Sequence, residues 1–290
     1  MRLLVTNDDG IASLFLHELV HALRTAGHEL FVVAPKREQS WIGAAKSRSR
    51  PVHAERIDCR TGSPDSAAPT PARNSAGFGD PALQKCNLGC ATWIVDGTPA
   101  DCVNIALDHL LPRSPDGHPP VDGVLSGINV GLNASLGFII ASGTLGGAWE
   151  GALHGLPAIA YSQDLSTQIY DHLKASGDVP DAELHAILKI SAQHAARLTP
   201  ELIAATPPRS FIVHNVNFPL PCRPDSPLYR TVPAQVVVPR LFSPAADDGT
   251  HRLIFRLGED LSPSEPLTDR TALASGWISH TVLDYKKLGH

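Results

Sequence analysis

In MRLLVTNDDGIAS, an apolar, strand-like run over Leu3–Thr6 passes straight into two adjacent carboxylates, Asp8 and Asp9, then Gly10 and a helical pattern. In mid-strand, neighbouring side chains point to opposite faces and could not serve one site. Just past a strand end, where Gly10 lets the backbone turn, both can converge on a single point. Two carboxylates sharing a crevice repel each other, which drives one to keep its proton. A hard divalent cation removes that repulsion and takes oxygen ligands; Mg²⁺ keeps several waters for phosphate-bearing partners. On these four residues alone the alternative stays open that one Asp caps the next helix while the other is solvated.

Two neutral oxygen donors strengthen the cation reading. Ser40 follows a second strand in APKREQSWIG, and Asn129 follows a later one in LSGINVGLN. Two carboxylates, a hydroxyl and an amide carbonyl make a hard-cation site with open water positions. SGTLGGAWEG then sets Ser142, Gly143 and Thr144 just ahead of a helix, where hydroxyls and backbone N–H groups bind anions. A cation site and an anion site on one crest point to phosphoryl chemistry.

The elements that must position these residues alternate. LLVT reads as a strand, LFLHELVHALRTAG as an amphipathic helix ending at Gly27, and HELFVVAP as a second buried strand stopped by Pro35. GVLSGIN, LPAIAYS and RSFIVHNVNFP read as further strands, GGAWEGALHG and DAELHAILKISAQHAARLT as helices. The expected fold is α/β: a Rossmann-like, doubly wound, mostly parallel sheet with ligands beyond the carboxyl ends of its strands. The segment from about 46 to 86, rich in Pro, Ser, Ala and Gly, is expected to be a long loop or hairpin near the sheet edge. Residues 1–221 form the expected α/β core. Residues 222–290 form a β-rich extension, in which VPAQVVVPRLF and HRLIFRLGED flank the turn PAADDGT. A hairpin alone is marginal in water, and the core sheet is expected to be covered already by its own helices. Trp277, Ile278, Val282 and Leu283 would then be buried by exchange with a second copy, giving a homodimer, with a tetramer as the alternative.

A net charge of −5 argues against a nucleic-acid surface. No apolar run approaches a membrane span, and the first apolar run ends at Asn7, too short for a signal peptide, so a cytoplasmic protein is expected. Five cysteines, at 59, 86, 90, 102 and 222, are scattered and are expected to be reduced. Cys86 and Cys90 in CNLGC could hold half a zinc site, but no second pair stands at matching spacing.

TNDDGI at 6–11, VVAP with Ser40 downstream, DGTPADCV at 96–103, SGIN at 126–129, SGT with the AWEG helix at 142–151, VNFP at 216–219 and TDRTALASGWIS at 268–279 occur together. In that order they resemble the stationary-phase survival protein SurE nucleotidases over essentially the whole chain. The resemblance implies a metal-dependent phosphomonoesterase acting on nucleoside monophosphates, and a dimer that exchanges C-terminal elements. Carried over by position, the metal ligands are Asp8, Asp9, Ser40 and Asn129, holding one divalent ion per subunit: Mg²⁺ or Mn²⁺, with Co²⁺ or Ca²⁺ as alternatives. Asp8, Asp9 and Asn129 are the expected catalytic residues, and water is the nucleophile, without a phosphoenzyme. Asn133, Ser142, Gly143 and Thr144 are expected to bind phosphate, and Trp41 and Lys46 to face the substrate. The chain departs from the family at Trp41, where a small residue is usual, and around GLNASLGFIIASGT, where Ala141 stands in place of the common tyrosine. These changes reshape the mouth and leave two alternatives in view, a phosphatase for a modified nucleotide or another phosphorylated metabolite, and a non-catalytic nucleotide binder.

Rival readings fit less well. A haloacid-dehalogenase-type phosphatase spaces its carboxylates at i and i+2, a receiver domain is far shorter, and no GxGxxG follows the first strand. His17 and His21 have helical metal-pair spacing without a zincin pattern and are expected to pack or lie at the surface. His214 could lie near the crest. Arg48 and Arg50, with Lys46, could meet phosphate or simply be solvated.

Overall fold

A computed structural model of the chain describes residues 1–57, 88–112, 119–176, 180–254 and 256–287. The first strand, β1 (Arg2–Thr6), buries Leu3 and Val5 on one face and Leu4 on the other, as a central parallel strand must. Helix α1 (Leu14–Thr25) turns Phe15, Leu16, Leu19, Val20 and Leu23 onto the Leu3 face and stops ahead of Gly27, at φ 84°. β2 (Glu29–Pro35) returns parallel to β1. Next come β3 (Ala54–Ile57), β4 (Ala91–Val95), α2 (Pro99–Ile105) and β5 (Gly123–Val130). They are followed by α3 (Leu136–Ala141), α4 (Gly143–Leu153), β6 (Ala158–Gln163), α5 (Thr167–Ser176), α6 (Ala182–Ala204) and β7 (Ile212–Phe218). The chain continues with β8 (Leu228–Thr231), β9 (Val236–Val237), β10 (Glu259–Asp260), α7 (Asp269–Ala274) and β11 (Ile278–Asp284).

Among the described residues, nine strands form one sheet in the order β3-β4-β2-β1-β5-β6-β7-β11-β8, parallel from β4 through β7. Leu184, Leu188, Ala192 and Leu202 of α6 join α1 on one face, while α2 and α4 cover the other with Cys102, Val103, Leu145 and Ala148. The α/β reading therefore holds. Because β1 has β2 on one side and β5 on the other, chain order reverses there, and a crevice opens beyond the carboxyl ends of β1 and β5. Gly127 shapes it. Its φ is 132° and an added Cβ would lie 2.2 Å from the Tyr161 carbonyl oxygen, so only glycine lets β5 run this close to β6. The β5–β6 register shifts between Ser126 and Asn129, an irregularity of the kind that re-aims a strand's last side chains.

Several elements differ from the sequence reading. β4 and α2 escaped it, although Thr98 and Asp101 bracket the helix start: Thr98 Oγ1 accepts from Asp101 N at 3.1 Å and Asp101 Oδ2 accepts from Thr98 N at 2.9 Å. α6 runs past Pro200 to Ala204 because Leu202 and Ile203 still face the core. β3 pairs antiparallel with β4 at the sheet edge, while the rest of the 46–86 stretch beyond Ile57, with Cys59 and Cys86, lies outside the described residues. Cys102 and Cys222 are buried free thiols.

The largest departure is at the far end. β11 pairs antiparallel with β7 and parallel with β8, and Ile278 is fully buried. The apolar load reasoned to need a second copy thus lands on the chain's own sheet, because β7 would otherwise leave a row of backbone donors and acceptors unmatched. The expected hairpin shrinks to the β9–β10 ladder and a Phe242–Leu253 bridge, in an excursion that leaves Val237, Phe242, Leu253, Leu257 and Leu261 exposed. No helix of the described residues is long and apolar enough to cross a membrane.

Candidate metal and phosphate site

Beyond β1 the backbone reverses at Gly10, φ 93°, and Asn7 Nδ2 donates to the Gly10 carbonyl at 2.9 Å. The turn is tied to β2 by Ile11 N donating to the Pro35 carbonyl at 2.9 Å. The two carboxylates that flank this turn have different anchors. Asp8, 3% exposed, accepts a 2.5 Å bond from Thr144 Oγ1 of α4. Asp9 Oδ2 accepts from Val130 N, at the end of β5, at 3.0 Å. Burial pushes the Asp8 carboxyl up to about 6, the Thr144 hydrogen bond offsets part of this, and the Glu38 carboxylate adds to the rise.

Beside this turn lies a cleft whose lining includes Asp8, Ser40, Trp41, Asn129, Asn133 and Ser142. Ser40 Oγ donates to Glu38 Oε1 at 2.7 Å. Asn129 Nδ2 donates to the Gly131 carbonyl at 2.7 Å, which leaves its Oδ1 as the side-chain atom able to accept or ligate. Asn133 is held from below by β6 and β7: its Nδ2 donates to Ser162 Oγ at 2.9 Å, and its N donates to Asn217 Oδ1 at 2.8 Å. Ser142 caps α4, its Oγ accepting from Leu145 N at 3.1 Å. Gly143, the first residue of α4, packs directly against Asp8.

Not all expected residues gather here. Asp9, Gly143 and Thr144 touch lining residues without lining the cleft themselves, and Lys46 does not line it either. Its ammonium is paired with Glu150, whose carboxylate is 2% exposed and also accepts from Asn104 Nδ2 at 2.6 Å. A buried carboxylate needs a cation more than an open cleft does. Thr144 spends its hydroxyl proton on Asp8. Arg50 pairs with Asp96 at 3.1 Å. His17 bonds the Ile11 carbonyl at 2.8 Å. His214 lies near the start of β7, at the opposite end of the sheet from the crest, between Thr206 and His280 at 2.7 and 2.8 Å.

Conversely, Phe138, Leu165, Thr167, Tyr170 and Leu257 also line the cleft. Only Phe138, in the apolar FII run, carried a local signal. Leu257 arrives from the β9–β10 excursion. The start of that excursion is fixed to the cleft by Asp269, fully buried, which accepts from Ser135 N at 2.8 Å and from Ala234 N at 2.9 Å.

The residues present suit a hard cation. Every donor of the expected set is an oxygen, which disfavours soft metals. Asp8 is buried, yet among the described residues no cationic side chain forms an ion pair with it, so none of them supplies its charge with a counter-ion.

The chain matches the sequence model of a family described as survival protein SurE over residues 3–237. It is 40% identical over 162 residues to 5′-nucleotidase SurE of Synechococcus elongatus, covering 56% of this chain and 50% of that protein. To 5′-nucleotidase SurE of Desulfovibrio desulfuricans it is 32% identical over 292 residues, covering 100% of this chain and 95% of the relative. The match thus spans about half the length of the first relatives, though nearly all of the second. Crystalline SurE protein from Aquifex aeolicus superposes with a TM-score of 0.66 at 24% identity, over 98% of this chain and 93% of that one, a likeness of fold.

Proposed function

The chain belongs to the SurE family, and from the cleft at the β1–β5 crest we propose that it hydrolyses phosphomonoesters, with nucleoside monophosphates as the substrate class. One observation carries the proposal: a buried aspartate with no cationic partner among the described residues, sharing a cleft with a hydroxyl, an amide oxygen and a capped helix start. Asp8, Asp9, Ser40 and Asn129 would hold one divalent ion, Mg²⁺ or Mn²⁺. When bound, such an ion neutralises phosphate charge and acidifies water near neutral pH.

The chain's own residues do the rest. Asn133 and the α4 start at Ser142 and Gly143 present donors to the phosphate oxygens. Thr144 acts one step back, holding Asp8 in place through its hydroxyl. Asp8 and Asp9 are the bases nearest the attacking water. Lys46 drops out of the substrate-facing set, since it serves Glu150. That curated relatives carry the name 5′-nucleotidase supports the substrate class.

The division into a core, 1–221, and an extension, 222–290, belongs to the same proposal. The exposed Val237, Phe242, Leu253 and Leu261 of the excursion would be covered by a second copy, making a homodimer. Light scattering on the intact chain would show a dimer, and a monodisperse monomer would exclude one. The reaction is tested by a panel of phosphomonoesters with inorganic phosphate as readout, before and after chelation and with Mg²⁺ or Mn²⁺ restored. Release should require metal and be highest with nucleoside monophosphates. Release from none of the panel would defeat the proposal.

A further inference from the structure

The cleft has two halves of different chemistry. Asp8, Ser40, Asn129, Asn133 and Ser142 supply polar lining, while Trp41, Phe138, Leu165, Tyr170 and Leu257 supply apolar and aromatic lining. Trp41 directly follows Ser40, so the apolar half begins about 3.8 Å along the backbone from a proposed ligand. A phosphate held at Asn133 and Ser142 would thus share its cleft with Trp41.

The tryptophan is set in place at a cost. Its φ is 63°, a left-handed conformation that bulky residues keep only where their surroundings impose it. Gly43 N donates to the Ala141 carbonyl at 2.9 Å, clamping this loop to the end of α3. From the same helix Phe138 supports the indole, with ring centroids 5.6 Å apart and planes at 59°. Phe138 is 7% exposed whereas Trp41 is 36% exposed, so one side of the indole is backed and the rest stays open. Tyr170 packs on Gly131, its ring edge 3.9 Å from where a Cβ would stand, which sets a second ring against the turn between Asn129 and Asn133. A pre-set, partly open indole beside a polar anchor suits a flat ring better than a flexible alkyl chain, because stacking needs a face that is already ordered.

We propose that Trp41, backed by Phe138 and with Tyr170 lining the same cleft, is a shelf for the planar ring of the substrate's alcohol, and that Trp41 is the residue separating nucleotides from sugar phosphates. This rests on the phosphomonoesterase reading of the same cleft. The test is steady-state hydrolysis, with Mg²⁺, of adenosine 5′-monophosphate and ribose 5-phosphate, which differ only in the base. In Trp41→Ala the KM for adenosine 5′-monophosphate should rise roughly 5- to 100-fold, the range of one lost base–aromatic stack. Its kcat should stay within about twofold, as for loss of uniform binding, and the KM for ribose 5-phosphate should be unchanged. Trp41→Phe should recover most of the loss. An equal rise for both esters, a fall in kcat for both, or no rise for either would overturn the shelf. Quenching of tryptophan fluorescence by adenosine, with ribose as control, reads the shelf without catalysis. It should be present in the wild type and lost in Trp41→Phe, and quenching that survives in Trp41→Phe would overturn the proposal. If the wild type hydrolyses neither ester, the phosphomonoesterase reading fails while the fluorescence comparison still decides the shelf.

Discussion

Gly143→Ala separates the positioning of Asp8 from the stability of the fold. Gly143 is the first residue of α4, and an added Cβ would stand 2.8 Å from Asp8 Cβ, 3.0 Å from Asp8 Oδ2 and 3.0 Å from the Gln39 carbonyl oxygen. Alanine is the better helix former by up to about 1 kcal/mol, whereas forcing a methyl into a filled site costs about 1–3 kcal/mol. The two nearly offset, so the net loss of stability should be about 0–2 kcal/mol, or a few degrees in Tm. Asp8 has little freedom to withdraw, since Oδ1 is bonded to Thr144 and its carbonyl accepts from Gln39 N at 2.7 Å. Restoring ordinary contact requires the carboxylate to move by about 0.5–1 Å, and misplacement by about 1 Å costs on the order of 10²-fold. Metal-dependent phosphate release should therefore fall about 10- to 100-fold in kcat/KM while thermal unfolding moves little. Gly137→Ala in α3 is the control, because nothing lies within 4 Å of its added Cβ, and it should match the wild type in both assays. A Gly143→Ala variant within twofold of wild-type activity would refute the claim that Asp8 must sit where it does.

Lys46→Met should destabilise the fold by about 1–3 kcal/mol, below the usual cost of orphaning a buried charge because the lysine is half exposed, and Glu150→Gln should cost less. Urea denaturation measures both, and equal losses would contradict the assignment. Acid should weaken the fold through His214 and His280. Burial, with the nearby Arg230 charge, lowers His214 to about 4; burial, His214 and Arg230 do the same to His280. The unfolded chain binds these protons near pH 6.5 and the fold does not until about pH 4. Stability is therefore full above pH 6.5 and declines as pH falls toward 4, by up to about 1.4 kcal/mol per pH unit for each histidine. Urea midpoints at pH 7.5 and 5.0 should differ less in His280→Gln than in the wild type, and the same difference in both would contradict this account.

What was legible in the sequence was local. The double-sided apolar run before Asp8, the helix closed by Gly27 and the strand stopped by Pro35 carry their own periodicity and punctuation, and from them follows the crest on which Ser40, Asn129 and Ser142 fall. The Thr98–Asp101 capping box is equally local. The remainder is long-range. That Lys46 belongs to Glu150 depends on how the loop after β2 packs on α4. That Tyr170 and Leu257 line one cleft depends on α5 and on the excursion between β9 and β10, and neither sequence segment marks the other. The strand pattern of 278–284 was visible, but its alternation could not reveal that the open edge of β7 would take it.

The central claim, that Asp8 anchors a divalent ion on which phosphate release depends, is tested most directly by one paired measurement on wild type and Asp8→Asn. Mn²⁺ binding is followed by electron paramagnetic resonance and phosphate release from a nucleoside monophosphate is read in the same samples. The account predicts one Mn²⁺ per wild-type chain, and in Asp8→Asn a loss of that binding together with about a 10³-fold loss of activity, the equivalent of roughly 4 kcal/mol. An Asp8→Asn protein that still binds Mn²⁺ and releases phosphate at the wild-type rate would contradict it.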